Sequence, residues 1–120
     1  MNGRVDDDRR ALVDVRVGKT SVEELLTIVV WIDTAFNGCF VFPRQLIDQL
    51  GLRQEAAAEA ILADGNQVTL ESYICFLEWF GHLIPVQVIA NDGNLPLMGT
   101  ELLDNHVLTV NYRERRVSLD

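Results

Sequence analysis

This 120-residue sequence has only two histidines, two cysteines and no apolar run of membrane-spanning length, and each shortage removes a class of function. His82 and His106 stand far apart with no partner at metal-ligand spacing, so they read as surface or satisfied core residues, and no metal or cofactor is expected. Cys39 and Cys75 each sit inside an apolar, strand-like run, where a reduced, buried thiol is the ordinary role. Cys39 has no histidine motif nearby, and Ser21, Ser72 and Ser118 lack the turn context of a nucleophilic serine, which disfavours a cysteine or serine hydrolase. A membrane-spanning helix needs roughly eighteen apolar residues in a row. No run approaches that, so no membrane association is expected. Basic residues are scarce too: ten Lys and Arg against eighteen Asp and Glu leave a net charge of −8, which repels phosphate backbones and argues against a nucleic-acid partner. Residues 1–10 are polar and of mixed charge, unlike a secretion signal; they read as a flexible N-terminal tail, and the protein as cytoplasmic.

What is present is the balance of a globular domain, 48% hydrophobic and 23% charged, of a size for one core spanning residues 11–120. The patterning is mostly β. Val13, Val15 and Val17 alternate with Asp14 and Arg16 in a half-buried strand, and Gly18-Lys19-Thr20 turns the chain into an apolar strand from Leu25 to Ile32. Ser21 to Glu24 fits a capping box and offers a short helix as the rival to that hairpin. Cys39 to Phe42 make another buried strand, and Pro43 opens a short amphipathic helix with Leu46, Ile47 and Leu50 on its apolar side and Gly51 at its end. The Ala- and Glu-rich stretch 54–60 could extend as helix by propensity alone, but is expected as a connector into a strand. Asp64-Gly65 supplies the turn of a hairpin over residues 60–70, whose outgoing arm continues to Phe80 before Gly81 and His82 turn into a strand from Leu83 to Ala90. After a turn at Asn91 to Asn94, Leu95 to Met98 read as a strand, Gly99 as a turn and the next residues as a short helix. A strand of alternating Leu108, Val110 and Tyr112 follows, and Val117 to Leu119 can pair back on it. No internal repeat or low-complexity segment interrupts this order.

One stretch organises the rest: Val29-Val30-Trp31-Ile32-Asp33-Thr34-Ala35, in which a β-branched apolar run delivers an acid at a strand end, followed by Thr and a small residue. An isolated Asp-Thr is more often a turn former. Here it is accompanied by a helix ending in Leu50-Gly51-Leu52, a hairpin tip of Ala63-Asp64-Gly65 and the run Leu97-Met98-Gly99 followed by Leu102-Leu103. In that order, over roughly Ala11 to Leu119, the chain resembles the retropepsin-like aspartic proteases, particularly their small stand-alone microbial members. The resemblance implies a mostly β acid-protease half-barrel with one or two short helices, closed by homodimerisation. It implies that Asp33 is the catalytic aspartate and that the Thr34 hydroxyl braces the two active-site loops across the dimer; Ala35 stands where the family usually has Gly. Ala63, Asp64, Gly65 and Asn66 match the tip of the flap that closes over a peptide. Gly99, Leu102 and Leu103 match the buttress of the catalytic loop, and Leu108 to Tyr112 the C-terminal strand used for dimerisation.

The chemistry adds its own constraint. Hydrolysis of this kind uses two carboxylates around one water, one taking a proton from the water and the other giving one to the carbonyl oxygen, because two like charges so close cannot both ionise. No other Asp of the chain precedes Thr or Ser and a small residue: beyond residue 10 the pairs are Asp14-Val15, Asp48-Gln49, Asp64-Gly65, Asp92-Gly93 and Asp104-Asn105. One chain therefore supplies half a site, and the expected function is an aspartic endopeptidase acting on peptides as a homodimer, with Asp33 meeting its copy on the twofold axis. The alternative is a non-catalytic dimeric module of the same fold that binds a peptide or protein strand, which Ala35 favours.

Overall fold

The computed structural model describes residues 1–61 and 63–120; Leu62, in the first arm of the expected hairpin, lies outside the described residues. The chain runs through strands β1 (Asn2–Val5), β2 (Ala11–Gly18), β3 (Leu26–Ile32) and β4 (Phe40–Pro43), helix α1 (Arg44–Leu50), then β5 (Arg53–Ile61), β6 (Gln67–Trp79), β7 (His82–Asn91) and β8 (Leu97–Met98). Helix α2 (Thr100–Leu103), β9 (Leu108–Asn111) and β10 (Arg116–Leu119) complete it.

The valines of β2 face inward and its charges outward, and the strand pairs antiparallel with β3 through Val13↔Val30 and Val15↔Ile28. At its far end Val17 pairs with Leu77 of β6. That second pairing closes β2, β3, β8, β4, β7 and β6 into a six-stranded barrel within one chain. Val13, Val17, Val30, Phe40, Phe42, Leu77, Val88 and Met98 fill it, all fully buried. Burying an apolar side chain of this size is worth about 2 kcal/mol, so these eight contribute one share of the burial that offsets chain entropy.

Helix α1 buries Ile47 and half-buries Leu46 and Leu50. Pro43 caps the helix instead of opening it: it ends β4 with ψ 144°, and its missing N–H is one the helix start does not need. Gly51 takes φ 67°, the left-handed turn that lets Leu52 N–H reach back to the Ile47 carbonyl at 3.2 Å. Gly51→Ala is expected to cost about 1 kcal/mol from the Cβ clash of that conformation, measurable as a lower urea midpoint with unchanged slope.

Three segments differ from the sequence reading. Residues 1–10 are not a loose tail. Gly3 lies between two strands, opposite Val13 of β2 and Val117 of β10, and a Cβ on it would fall 2.1 Å from the Leu12 carbonyl oxygen. The Met1 ammonium donates to the Leu119 carbonyl. Val5 is the one buried side chain of β1, so apolar periodicity gives no sign of it, while the charges that suggested a tail pair on the surface as Arg4–Asp14 and Arg10–Asp6. The 54–60 stretch is strand from its start, paired to β6 with a bulge between Gln54 and Ala56, because tertiary pairing overrides the helix propensity of Ala and Glu. The rival helix at Ser21 to Glu24 does not form, in agreement with the expected hairpin of β2 and β3; the Thr20 hydroxyl oxygen accepts the Val22 and Glu23 amides in a local turn. The β6–β7 turn is also tighter than expected: Trp79 pairs with His82, leaving Phe80 and Gly81 at φ 47° and 83° as a two-residue loop.

Candidate active site

Strand β3 ends in Ile32, buried in the barrel, and the next residue leaves the sheet. The Asp33 N–H donates to the Met98 carbonyl at 2.8 Å, fixing the backbone, and the Ala35 N–H donates to Asp33 Oδ1 at 3.0 Å, fixing the carboxylate in an Asx turn. The Phe36 N–H closes the turn on the Asp33 carbonyl. Asp33 is half-buried; Thr34 and Ala35 are exposed. No other described amide or side chain donates to the carboxylate. Ala35 lies outside the left-handed region, so its methyl costs this backbone no strain.

Two segments hold that loop from behind. Short β8 inserts between β3 and β4, parallel to the first through Ile32↔Met98 and antiparallel to the second through Phe40↔Met98. Beyond it the Gly99 N–H donates to the Cys39 carbonyl at 2.8 Å, Thr100 to Phe36 at 2.8 Å and Glu101 to Gly38 at 3.3 Å. The start of α2 is thus satisfied by carbonyls of the Asp33 loop, not by side-chain caps. A Cβ on Gly99 would lie 2.2 Å from the Gly38 oxygen and 2.7 Å from the Phe36 oxygen, so only glycine allows the two loops this approach. Leu102 is buried and Leu103 half-buried, anchoring α2 on the core. The structure therefore brings Asp33, Ala35, Gly99, Leu102 and Leu103 into one unit. Phe36, whose carbonyl and ring meet Gly99, belongs to it as well and was missed; Gly38, close behind the acid, was its only sequence sign.

The hairpin tip stands apart, and its hydrogen bonds stay within the hairpin. Asp64 accepts the Asn66 amide at 2.9 Å and its side-chain NH2 at 2.8 Å, Gly65 takes φ 87°, and Ala63, Asp64, Gly65 and Asn66 are all exposed. The arm is secured lower down, where Arg44 bridges Glu71 at 2.7 Å and Asp92 at 3.2 Å and the Tyr73 hydroxyl donates to Glu71. The Arg44 hydrogen bond, then that of Tyr73, holds the Glu71 carboxyl below the ordinary glutamate value of 4.5. A carboxyl lowered by folding contributes stability above its unfolded value and loses it as pH falls through the folded one. Glu71→Gln should therefore melt at a lower temperature than the parent at neutral pH, and the difference should close on acidification below 4.5.

Cysteine chemistry is absent from this site. Burial first, then the Glu101 carboxylate, pushes the Cys39 thiol up to about 11, and burial pushes Cys75 up to about 12, so both stay protonated near neutrality. Among the described residues no cluster of His, Cys, Asp and Glu could hold a metal ion, and no helix is long and apolar enough to cross a membrane.

A similar fold occurs in solved structures. A retropepsin-like aspartic protease from Rickettsia conorii matches 99% of this chain and 88% of its own, with a TM-score of 0.67 at 12% identity. The fold is that of the retropepsin-like aspartic proteases. The EIAV protease complexed with the inhibitor HBY-793 matches 83% of this chain and 90% of its own, with a TM-score of 0.58 at 17% identity. No protein-family model matches the sequence, and no curated protein does. The fold is thus shared with these two structures at 12% and 17% identity.

Proposed function

We propose that the protein is an aspartic endopeptidase that works as a twofold homodimer, each subunit lending one Asp33. The observation that carries this is the Asp33 loop itself: an acid fixed through both its backbone and Oδ1, at the end of a barrel strand, in a fold shared with aspartic proteases. In the dimer the paired carboxylates hold one proton and one water between them. One takes a proton as the water oxygen attacks the peptide carbonyl carbon; the other protonates the carbonyl oxygen. The carboxyl that took the water proton then gives it to the amide nitrogen as the C–N bond breaks, and a hydroxyl of the tetrahedral intermediate returns a proton to the other carboxylate as the C=O re-forms, so the pair again holds one proton. Thr34, exposed beside the acid, is assigned to brace the two loops across the axis, and the 63–66 tip to close over an extended peptide bound by strand-like hydrogen bonds.

Incubating the purified protein with casein from acid to neutral pH, beside Asp33→Asn, tests the reading: cutting that survives the substitution overturns it. No cutting by either protein, with an extended peptide bound equally by both, would favour the binding module. Assembly is tested separately by sedimentation, where micromolar protein is expected at twice the chain mass; an active monomer would contradict the shared site. Truncation cannot make the monomer for comparison, because the strand β10 it would remove buries Val117 and Leu119 in the core.

A further inference from the structure

A cavity of about 350 Å³ opens where the β2–β3 turn meets the root of the β5–β6 arm. It shares no residue with the Asp33 loop, the Gly99 turn or the hairpin tip. Its floor is apolar, made of half-buried Ile74 and Phe76 of β6. Its rim is cationic and hydroxylic: Lys19, Arg53, Thr20 and Ser21. On a chain of net charge −8 this rim carries two cations, with the Glu23 carboxylate beside Lys19. Of the two, Arg53 is the uncommitted one, while Lys19 also pairs with Glu23 on the exposed turn. Arg53 makes no ion pair with a described carboxylate, and Lys19 Nζ stands 3.7 Å from Glu23 Oε1, beyond hydrogen-bond length. The Thr20 hydroxyl oxygen is occupied as an acceptor by the Val22 and Glu23 amides, which leaves its O–H to donate. Gly51, also at the mouth, adds no side chain to obstruct it.

We infer that this cavity is a binding site for a small organic carboxylate with an apolar body, independent of the Asp33 site. The carboxylate would lie between the Arg53 guanidinium and the Lys19 ammonium, and the apolar body on Ile74 and Phe76, the division of labour usual for pockets that orient a ligand by a few polar groups over an apolar floor. A free acid and the C-terminal end of a short hydrophobic peptide share that chemistry.

The test is titration of the full chain, followed by amide chemical shifts, with 4-phenylbutyrate, its neutral amide, and an N-acetylated hydrophobic dipeptide acid. The carboxylate probe is expected to move the amides of residues 18–21, 51–53 and 74–76 with a dissociation constant on the order of 1 mM, as suits a ligand of this size. The neutral amide should bind at least about tenfold more weakly, as should the carboxylate to Arg53→Ala, the loss expected for one charge-assisted hydrogen bond. Arg53→Lys should recover part of it. Asp33→Asn should bind like the parent, which separates this site from the protease reading. If both acids bind, carboxylate with an apolar body is the ligand class; if the dipeptide acid alone is excluded, the source is a free acid. Equal binding of acid and amide, shifts confined to the Asp33 loop, or no shifts at all would overturn the assignment.

Discussion

Asp33→Asn is expected to reduce peptide hydrolysis by at least about a thousandfold, the loss usual for a group that handles protons in the transition state. The substitution is unusually clean for this chain. Asparagine keeps an Oδ1 that can accept the Ala35 amide at 3.0 Å, and the Asp33 N–H bond to Met98 is a backbone bond that the side chain does not alter. The loop should therefore persist, and thermal unfolding of the variant should match the parent within error. What is removed is the ability to take up and release a proton. Measured rates on casein and on a quenched peptide, together with the melting curve, decide between a lost proton carrier and a damaged loop: residual activity near the parent level would contradict the role, and a large drop in melting temperature would show that the carboxylate is structural.

Gly99→Ala should be far more damaging to the fold than its one added methyl suggests, lowering stability by more than about 3 kcal/mol, in the range reserved for named structural conflicts. The new Cβ would meet the Gly38 carbonyl oxygen at 2.2 Å, Phe36 Cδ2 at 2.5 Å and the Phe36 carbonyl oxygen at 2.7 Å. Two of the three are backbone atoms, and both accept hydrogen bonds from the start of α2, so neither can retreat without breaking the Thr100 or Glu101 bond. Gly65→Ala is the natural contrast: open space surrounds that position, and the cost is only that of φ 87°, about 1 kcal/mol. Urea unfolding of the two variants reads the difference directly. Equal midpoints would mean that the Asp33 and Gly99 loops are not locked as described; a selective loss in Gly99→Ala, with hydrolysis falling alongside it, would tie the stability of the loop pair to activity.

Much of the barrel was legible because its strands carry local signals. The alternation of β2, the β-branched run of β3 and the Pro43 to Gly51 frame of α1 each state their structure in consecutive residues. The edges were not. β1 has a single buried side chain and is held by backbone bonds to β2 and β10, which leave no mark in residue type, and the 54–60 stretch reads helical by propensity until the next strand of its own hairpin, β6, supplies a partner. The site shows the same division. Asp33 and Gly99 stand out as motif residues, whereas Phe36 acts through its carbonyl and through contact with a glycine far along the sequence, and no spacing rule connects the two. Closure of the barrel within one chain likewise depends on the β2–β6 pairing, where Val17 meets Leu77 sixty residues on, a match that hydrophobicity permits without specifying.

Subunit mixing tests the shared site most directly. Parent protein at fixed concentration is allowed to exchange with an equal amount of Asp33→Asn, and hydrolysis is followed against the parent alone. If each site is built from two Asp33 carboxylates, random pairing leaves about half of the parent subunits joined to an inactive partner, and activity should fall to about half, then further as the variant is raised in excess. Activity that stays at the parent level at every ratio, under conditions where exchange is shown to occur, would mean that one chain carries a complete site.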